Sequence, residues 1–180
     1  DYAMSSGTRM TETDGGPADF AAATTYKWSI ENTSKPELLD GISFQISRIT
    51  MQQITDGTSQ TLMIGEKFIP PGRYEDGTFG SDNETWCTGW NNDNFRIIYG
   101  VQTAIGSANY NIDPPLPDSD NTSVPSFSPI ENRFGSAHPS VWVAAYCDGS
   151  THALSYDADP EMLRRLASRH DGLNLDVGGL

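Results

Sequence analysis

Positive charge, cysteine and long apolar runs are all scarce in this chain, and each scarcity removes a class of function. Lysine and arginine number 11 against 24 aspartates and glutamates, for a formal charge of -13 at pH 7. That balance repels phosphate backbones and anionic membrane surfaces, which excludes nucleic acid as a partner and favours solubility or cation binding. No apolar stretch approaches the roughly 20 residues of a membrane helix, so membrane attachment has to come from a segment outside this sequence. The first residue is Asp1 rather than Met, as expected of a processed or truncated product whose targeting segment lies upstream.

Only two cysteines are present, Cys87 and Cys147, with no C-x-x-C pair, and His138, His152 and His170 lack ligand spacing. A zinc ribbon or finger is thereby excluded. Two alternatives stand for the cysteines. A disulfide would close a loop of about 60 residues, worth roughly 4 kcal/mol in an oxidising compartment; otherwise they are separate buried thiols. There is no G-x-S-x-G nucleophile elbow and no internal repeat. A chain of 180 residues is nevertheless long enough to bury a core as one domain, residues 1–180.

The strongest local signal is the segment from His138 to Gly149. Val141 to Cys147 is apolar, β-branched and aromatic, and Asp148-Gly149 predicts a two-residue hairpin turn, because both positions tolerate positive φ. The second arm is Ser150 to Tyr156. Upstream, Ile42, Phe44 and Ile46 alternate with polar residues and predict a half-buried strand over 41–47. Thr50 and Gln53 read as a capping box for a turn or two of helix that Asp56-Gly57 stops. Leu62 to Ile64 predicts a more central strand, which Pro70-Pro71-Gly72 ends. Residues 1–37 read as irregular chain with at most short strands.

From Gly72 to Ile130 the composition is that of an insertion, rich in Gly, Asn, Asp and Pro. Within it Phe95 to Tyr99 is a strand, and Pro114 to Ser128 is a long surface loop. Near the end, Asp159-Pro160 predicts an N-cap and first helical turn, with Met162, Leu163 and Leu166 on one face and Arg164, Arg165, Arg169 and His170 toward the C-terminal end of the dipole. Asp171-Gly172 terminates that helix, and Leu173 to Val177 alternates as an edge strand would.

Several clusters invite chemistry. Asp118, Asp120 and Asn121, with Asp82, Asn83 and Glu84 and with Asn92, Asp93 and Asn94, gather the oxygen ligands that calcium takes; the same residues also make Asx-turns. Trp86 and Trp90, near Asn91, Asn92 and Asp93, suit a sugar platform or simply pack around Cys87, whereas Trp142 belongs to the core. His138, preceding a proline at the entry to a strand, ties the hairpin to a neighbouring turn such as Asp56-Gly57. Its alternatives are a metal ligand or a base for Cys147. Enzyme chemistry ranks below binding and structure, and the sequence singles out no catalytic carboxylate pair.

Three blocks occur in order: Ile54 to Glu66 (ITDGTSQTLMIGE), Phe134 to His138 (FGSAH) through Asp148-Gly149-Ser150, and Leu163 to Gly172 (LRRLASRHDG). Together they resemble a prepilin-like family of planctomycete-type bacteria, marked by a histidine, nine residues and Asp-Gly, some of whose members carry a solute-binding label. The resemblance makes His138, Asp148, Gly149, Asp56, Gly57 and Glu66 signature positions with no catalytic role attached. It implies an extracellular or cell-surface subunit, made with a prepilin leader and a long apolar N-terminal helix, that acts in a pilus or a type II secretion-like pseudopilus beside related subunits. The implied fold is α+β: a β-rich pilin-like head with an antiparallel sheet, a long irregular insertion at about 72–130 and a short C-terminal helix. The expected function is structural, through subunit packing and surface display. The alternative is an extracellular carbohydrate- or solute-binding module.

Overall fold

The alternating apolar run near the C-terminus fixes the centre of the fold. In the computed structural model, which describes residues 1–8, 15–32, 39–85, 87–98, 101–104, 107–111, 114–118 and 132–175, Val141–Tyr146 (β8) pairs antiparallel with Thr151–Ser155 (β9). Trp142, Ala144 and Tyr146 point inward and are buried, while Val141, Val143 and Ala145 face the other way and are half-buried. The turn between the arms is wider than the expected two residues. Gly149 N–H donates to the Tyr146 carbonyl and Tyr146 N–H to the Ser150 carbonyl, both at 2.9 Å. Only Gly149 has positive φ, at 87°. This is the three-residue connection in which a glycine in the left-handed region completes a bulge, and Asp148 locks it by accepting from the Ser150 N–H at 2.9 Å and hydroxyl at 2.6 Å.

Tyr2–Ser5 (β1), Leu62–Glu66 (β2) and Phe95–Arg96 (β3) complete a five-stranded sheet in the order β3-β1-β2-β8-β9. All neighbours are antiparallel except β1 and β3, which are parallel. Two small pairs stand apart: Val101–Ala104 (β4) with Ser107–Asn111 (β5), antiparallel, and Leu116–Pro117 (β6) with Gly135–Ser136 (β7), parallel. The architecture is α+β and β-rich, as the sequence predicts, with β2 central.

One face of the sheet carries the core. Leu62, Trp142, Tyr146 and Leu154 pack against Leu163 and Leu166 of the helix Pro160–Ala167 (α2). Each fully buried side chain of this size contributes roughly 1.5–3 kcal/mol. Gly65 lies in this face because nothing larger fits. A Cβ there would sit 2.6 Å from Trp142 Cζ3 and 2.7 Å from Phe134 Cδ1, inside a stack whose ring centroids are 5.1 Å apart. A second cluster, Phe68, Ile69 and Phe79 with Leu116 against it, continues the core beyond the end of β2.

The α2 cap forms as expected, with the Asp159 carboxylate accepting from the Glu161 and Met162 N–H groups at 2.7 and 3.3 Å. The helix ends earlier than expected, at Ala167, so Arg169 and His170 do not serve its dipole. Arg169 turns inward and is 7 % exposed, donating to the carbonyls of Leu39 and Gly41. That guanidinium organises the segment before residue 41. Arg164 and Arg165 lie in the last turn of α2, as expected, and both also pair with Glu161.

Three other expectations are corrected. Residues 41–47 form no strand: Ser43 and Gln45 are buried, Ile46 is 41 % exposed with φ 57°, and the alternation is inverted relative to its apolar side chains. Residues 173–175 are irregular, and 176–180 lie outside the described residues. In the surface loop expected to begin at Pro114, residues Pro115, Pro117 and Asp118 are instead buried. Elsewhere in the excursion Phe79 is buried too, and the strand expected from Phe95 forms over Phe95–Arg96 with Ile97 and Ile98 buried after it. The capping box at residue 50 holds, the Thr50 N–H donating to Gln53 Oε1 at 2.8 Å ahead of the 3-10 turn Met51–Gln53. A four-residue helix, Phe20–Ala23 (α1), interrupts the irregular start.

Candidate functional site

Past the end of β2 the chain lines a pocket of about 240 Å³ with Glu66, Lys67 and Ile69. Tyr74, Asp82, Asp118, Ser136 and Ala137 close it from segments far apart in sequence, together with Asp1. Each wall has a local cause. Tyr74 caps the 3-10 turn Pro71–Arg73. Asp82 sits in a turn whose N–H donates to the Phe79 carbonyl at 2.8 Å, and Asp118 follows β6.

Carboxylates dominate the lining, but protein groups satisfy them. Asp118 is 4 % exposed and accepts from the Ile69 N–H at 3.0 Å and the Tyr74 hydroxyl at 2.7 Å. Burial raises its carboxyl above the usual range against those two bonds, and burial together with Asp118 raises the Tyr74 phenol. Asp82 pairs with Lys67. Glu66 Oε2 accepts from the Val143 N–H at 2.7 Å, a side chain standing where a strand partner's carbonyl would, and Oε1 lies 3.9 Å from His138 Nε2. The partner of His138 is thus Glu66 and not the Asp56-Gly57 turn. Ser136 Oγ contacts the Val141 carbonyl and the Tyr156 hydroxyl, both at 3.0 Å, and accepts the His138 N–H at 3.1 Å.

Asp56 has a different task. Its carboxylate accepts the N–H groups of Asp171 and Gly172 at 2.7 and 3.0 Å, and its own N–H donates to the Arg169 carbonyl at 3.2 Å. Gly57, with φ 101°, lets the following turn reach the hairpin, where Thr58 and Thr61 carbonyls receive the Asp148 and Cys147 N–H groups at 3.1 and 2.9 Å. Asp56 and Glu66 are therefore ties between distant backbone segments, while Asp148 and Gly149 shape the hairpin turn.

The other candidate clusters disperse. Cys87 is exposed and touches Thr85 Oγ1 at 3.0 Å, while Cys147 is buried; both are free thiols, so the expected disulfide is not formed. Burial, with Asp148 beside it, pushes the Cys147 thiol up to about 11, and His138 stands at the opposite end of the six-residue β8. A Cys147-His138 couple is ruled out by that separation. Trp90 stacks on Phe95 at 4.4 Å and 9°, which occupies one face of the proposed sugar platform; Trp86 lies outside the described residues. Asp120 and Asn121 also lie outside them, and among the described residues no three acidic, imidazole or thiol side chains converge as metal ligands do. Lys67 was missed from the sequence. Its signal was a lysine directly following a strand in the largely apolar sequence Leu62 to Ile69, where its one acidic neighbour, Glu66, alternates to the opposite face.

Residues 3–161 match a family described as "Protein of unknown function (DUF1559)", with the short name SBP_bac_10. No curated protein and no solved structure matches the chain. The third sequence block, Leu163 to Gly172, lies beyond the matched range.

Proposed function

The chain belongs to the DUF1559 family of proteins of unknown function, and from that premise we propose that it is the globular head of a pilin-like or pseudopilin-like extracytoplasmic subunit, acting by packing against like subunits. The observation that carries this reading is the second face of the sheet. Opposite the core, the register aligns Met4, Ile64 and Ala145 in one row and Val143 with Ala153 in the next, flanked by Tyr2 and Val141. None of these side chains is buried, and Tyr2 and Met4 are 62 % and 37 % exposed. Glu66 lies between Tyr2 and Val143, and Thr151 beside Ala145, on this face. Apolar side chains from four strands are thus joined around one carboxylate and one hydroxyl, and grouped exposed apolar residues of this kind mark an interaction face where single ones do not. The signature residues support the same reading, because Glu66, Asp56, Asp148 and Gly149 hold backbone in place and His138 lies against Glu66.

The test uses the complete gene product. Expressed with its own upstream sequence, it is expected to lose a leader peptide and to assemble into filaments visible by negative-stain microscopy. Val143→Glu or Ala153→Glu should abolish assembly while circular dichroism and melting stay near wild type. A complete product that stays monomeric over the accessible concentration range, with no processed leader, would refute the reading.

A further inference from the structure

Lys67 is the most unusual cation in the described structure. Its side chain is 6 % exposed, and Nζ is in direct contact with Asp82 Oδ1 and 3.3 Å from the Asp93 carbonyl. Both partners are held rigidly. The Lys67 backbone donates to the Asp1 carbonyl at 3.1 Å and bridges Phe134. Asp82 is fixed by its turn to Phe79, which is 1 % exposed and packs edge-on against Phe68 at 6.4 Å.

A third group completes the arrangement. Asp93 is 5 % exposed; its Oδ1 accepts the Glu84 N–H at 2.9 Å, and its buried Oδ2 has no hydrogen-bond partner. Its charge acts on Lys67. Burial holds the Lys67 ammonium below its usual range against the pull of the Asp82 bond, and the buried Arg96 guanidinium acts in the same sense. A buried amine, a carboxyl in contact with it and a buried acid with an unpartnered oxygen, whose backbone carbonyl the amine reaches and whose charge acts on it, are the components of amide formation. As an ion pair the buried Lys67 ammonium would carry a desolvation cost, which a neutral amide removes.

We propose that Lys67 and Asp82 are joined by an intramolecular isopeptide bond that forms after folding, with Asp93 as the proton carrier. The neutral Lys67 Nζ attacks Cγ of the protonated Asp82 carboxyl. Asp93 takes a proton from the attacking nitrogen and returns it to the departing hydroxyl. One C–N bond forms, one C–O bond breaks and one water leaves, so ammonium plus carboxylate becomes amide plus water with no oxidant, nucleotide or other reactant. Lys67 and Asp82 both line the pocket, which gives the water a way out. The bond spans 15 residues and pins the loop after β2 to the sheet.

Intact-mass measurement of the folded wild-type protein decides the matter. The expected mass is one water below that of the sequence, with the deficit mapped to a branched peptide joining the Lys67 and Asp82 segments. Succinimides at the Asp-Gly steps, such as Asp76-Gly77, also lose water, but hydroxylamine opens those and leaves the isopeptide intact. Asp82→Asn should reach the same final mass as wild type, because ammonia leaves instead of water, whereas Lys67→Arg and Asp82→Ala should keep full sequence mass. Asp93→Asn should fold and remain at full mass. A wild-type protein at full mass after prolonged incubation, with Lys67 open to acetylation once unfolded, overturns the proposal. Cross-linking of Asp93→Asn to the wild-type extent overturns the role of Asp93.

Discussion

Replacing Asp56 by alanine isolates one of the long-range ties. The carboxylate accepts two backbone N–H groups from residues 115 and 116 positions further along the chain, at 2.7 and 3.0 Å. A hydrogen bond to a charged group contributes about 1.5–3 kcal/mol, and a donor left buried costs more than one that water can reach. The Asp171 N–H is half-buried and should carry most of the effect, while Gly172 is exposed and should add only about 0.5 kcal/mol. The loss expected for Asp56→Ala is therefore about 2 kcal/mol. For a domain of this size that is a fall in Tm of roughly 4–8 °C. Asp56→Asn keeps one carbonyl oxygen and should recover about half of the loss. Urea denaturation is the assay, with the midpoint shifted and the slope unchanged. An alanine variant within about 0.5 kcal/mol of wild type would show that the tie does not hold the post-helix segment.

Three further outcomes are expected. Gly65→Ala should cost about 1–3 kcal/mol by overpacking against Trp142 and Phe134, and Trp142→Phe in the same chain should recover part of it; additive losses would contradict the close approach. The arginines beside Glu161, Arg164 foremost, hold its carboxyl at about 2, below its unfolded value. Its stabilisation is therefore present above the ordinary carboxylate range and lost as pH falls toward 2. Because the Glu161 side chain is 45 % exposed and screened by solvent, the effect should be no more than about 1 kcal/mol, and the stability gap between wild type and Glu161→Gln should close on acidification; a constant gap would refute it. For the thiols, mass analysis after alkylation of native, unreduced protein should show rapid labelling of Cys87 and labelling of Cys147 only on unfolding. Failure of both to label without reductant would point to a disulfide.

Where the sequence was legible, the controlling interactions are local. The N-cap at Asp159, the capping box at Thr50 and the glycine at the hairpin turn each act within a few residues, so their chemistry can be read along the chain. The alternation of β8 likewise states which face is buried. It could not state the turn's width, because the Asp148 backbone need not follow Gly149 into positive φ. The candidate pocket was only half legible. Glu66, Asp82 and Asp118 were singled out, but for signature or calcium roles, and Lys67 and Tyr74, which occupy two of those carboxylates, were not.

The sequence by itself determined an acidic, β-rich α+β domain with a hairpin after His138 and a helix from Pro160, because charge, period and caps are properties of neighbouring residues. Tertiary structure alone decided which of those potential elements found partners. Residues 41–47 alternate as a strand does, yet the Ser43 N–H reaches β1 only at the Ser5 carbonyl, and β1 already has β2 and β3 on its two sides. With no free edge on β1 to receive its backbone, the segment turns its polar side chains inward. The same competition for edges and volume set His138 against Glu66, turned Arg169 from the helix end into the interior, and brought the Lys67 ammonium against the Asp82 carboxylate and the Asp93 carbonyl.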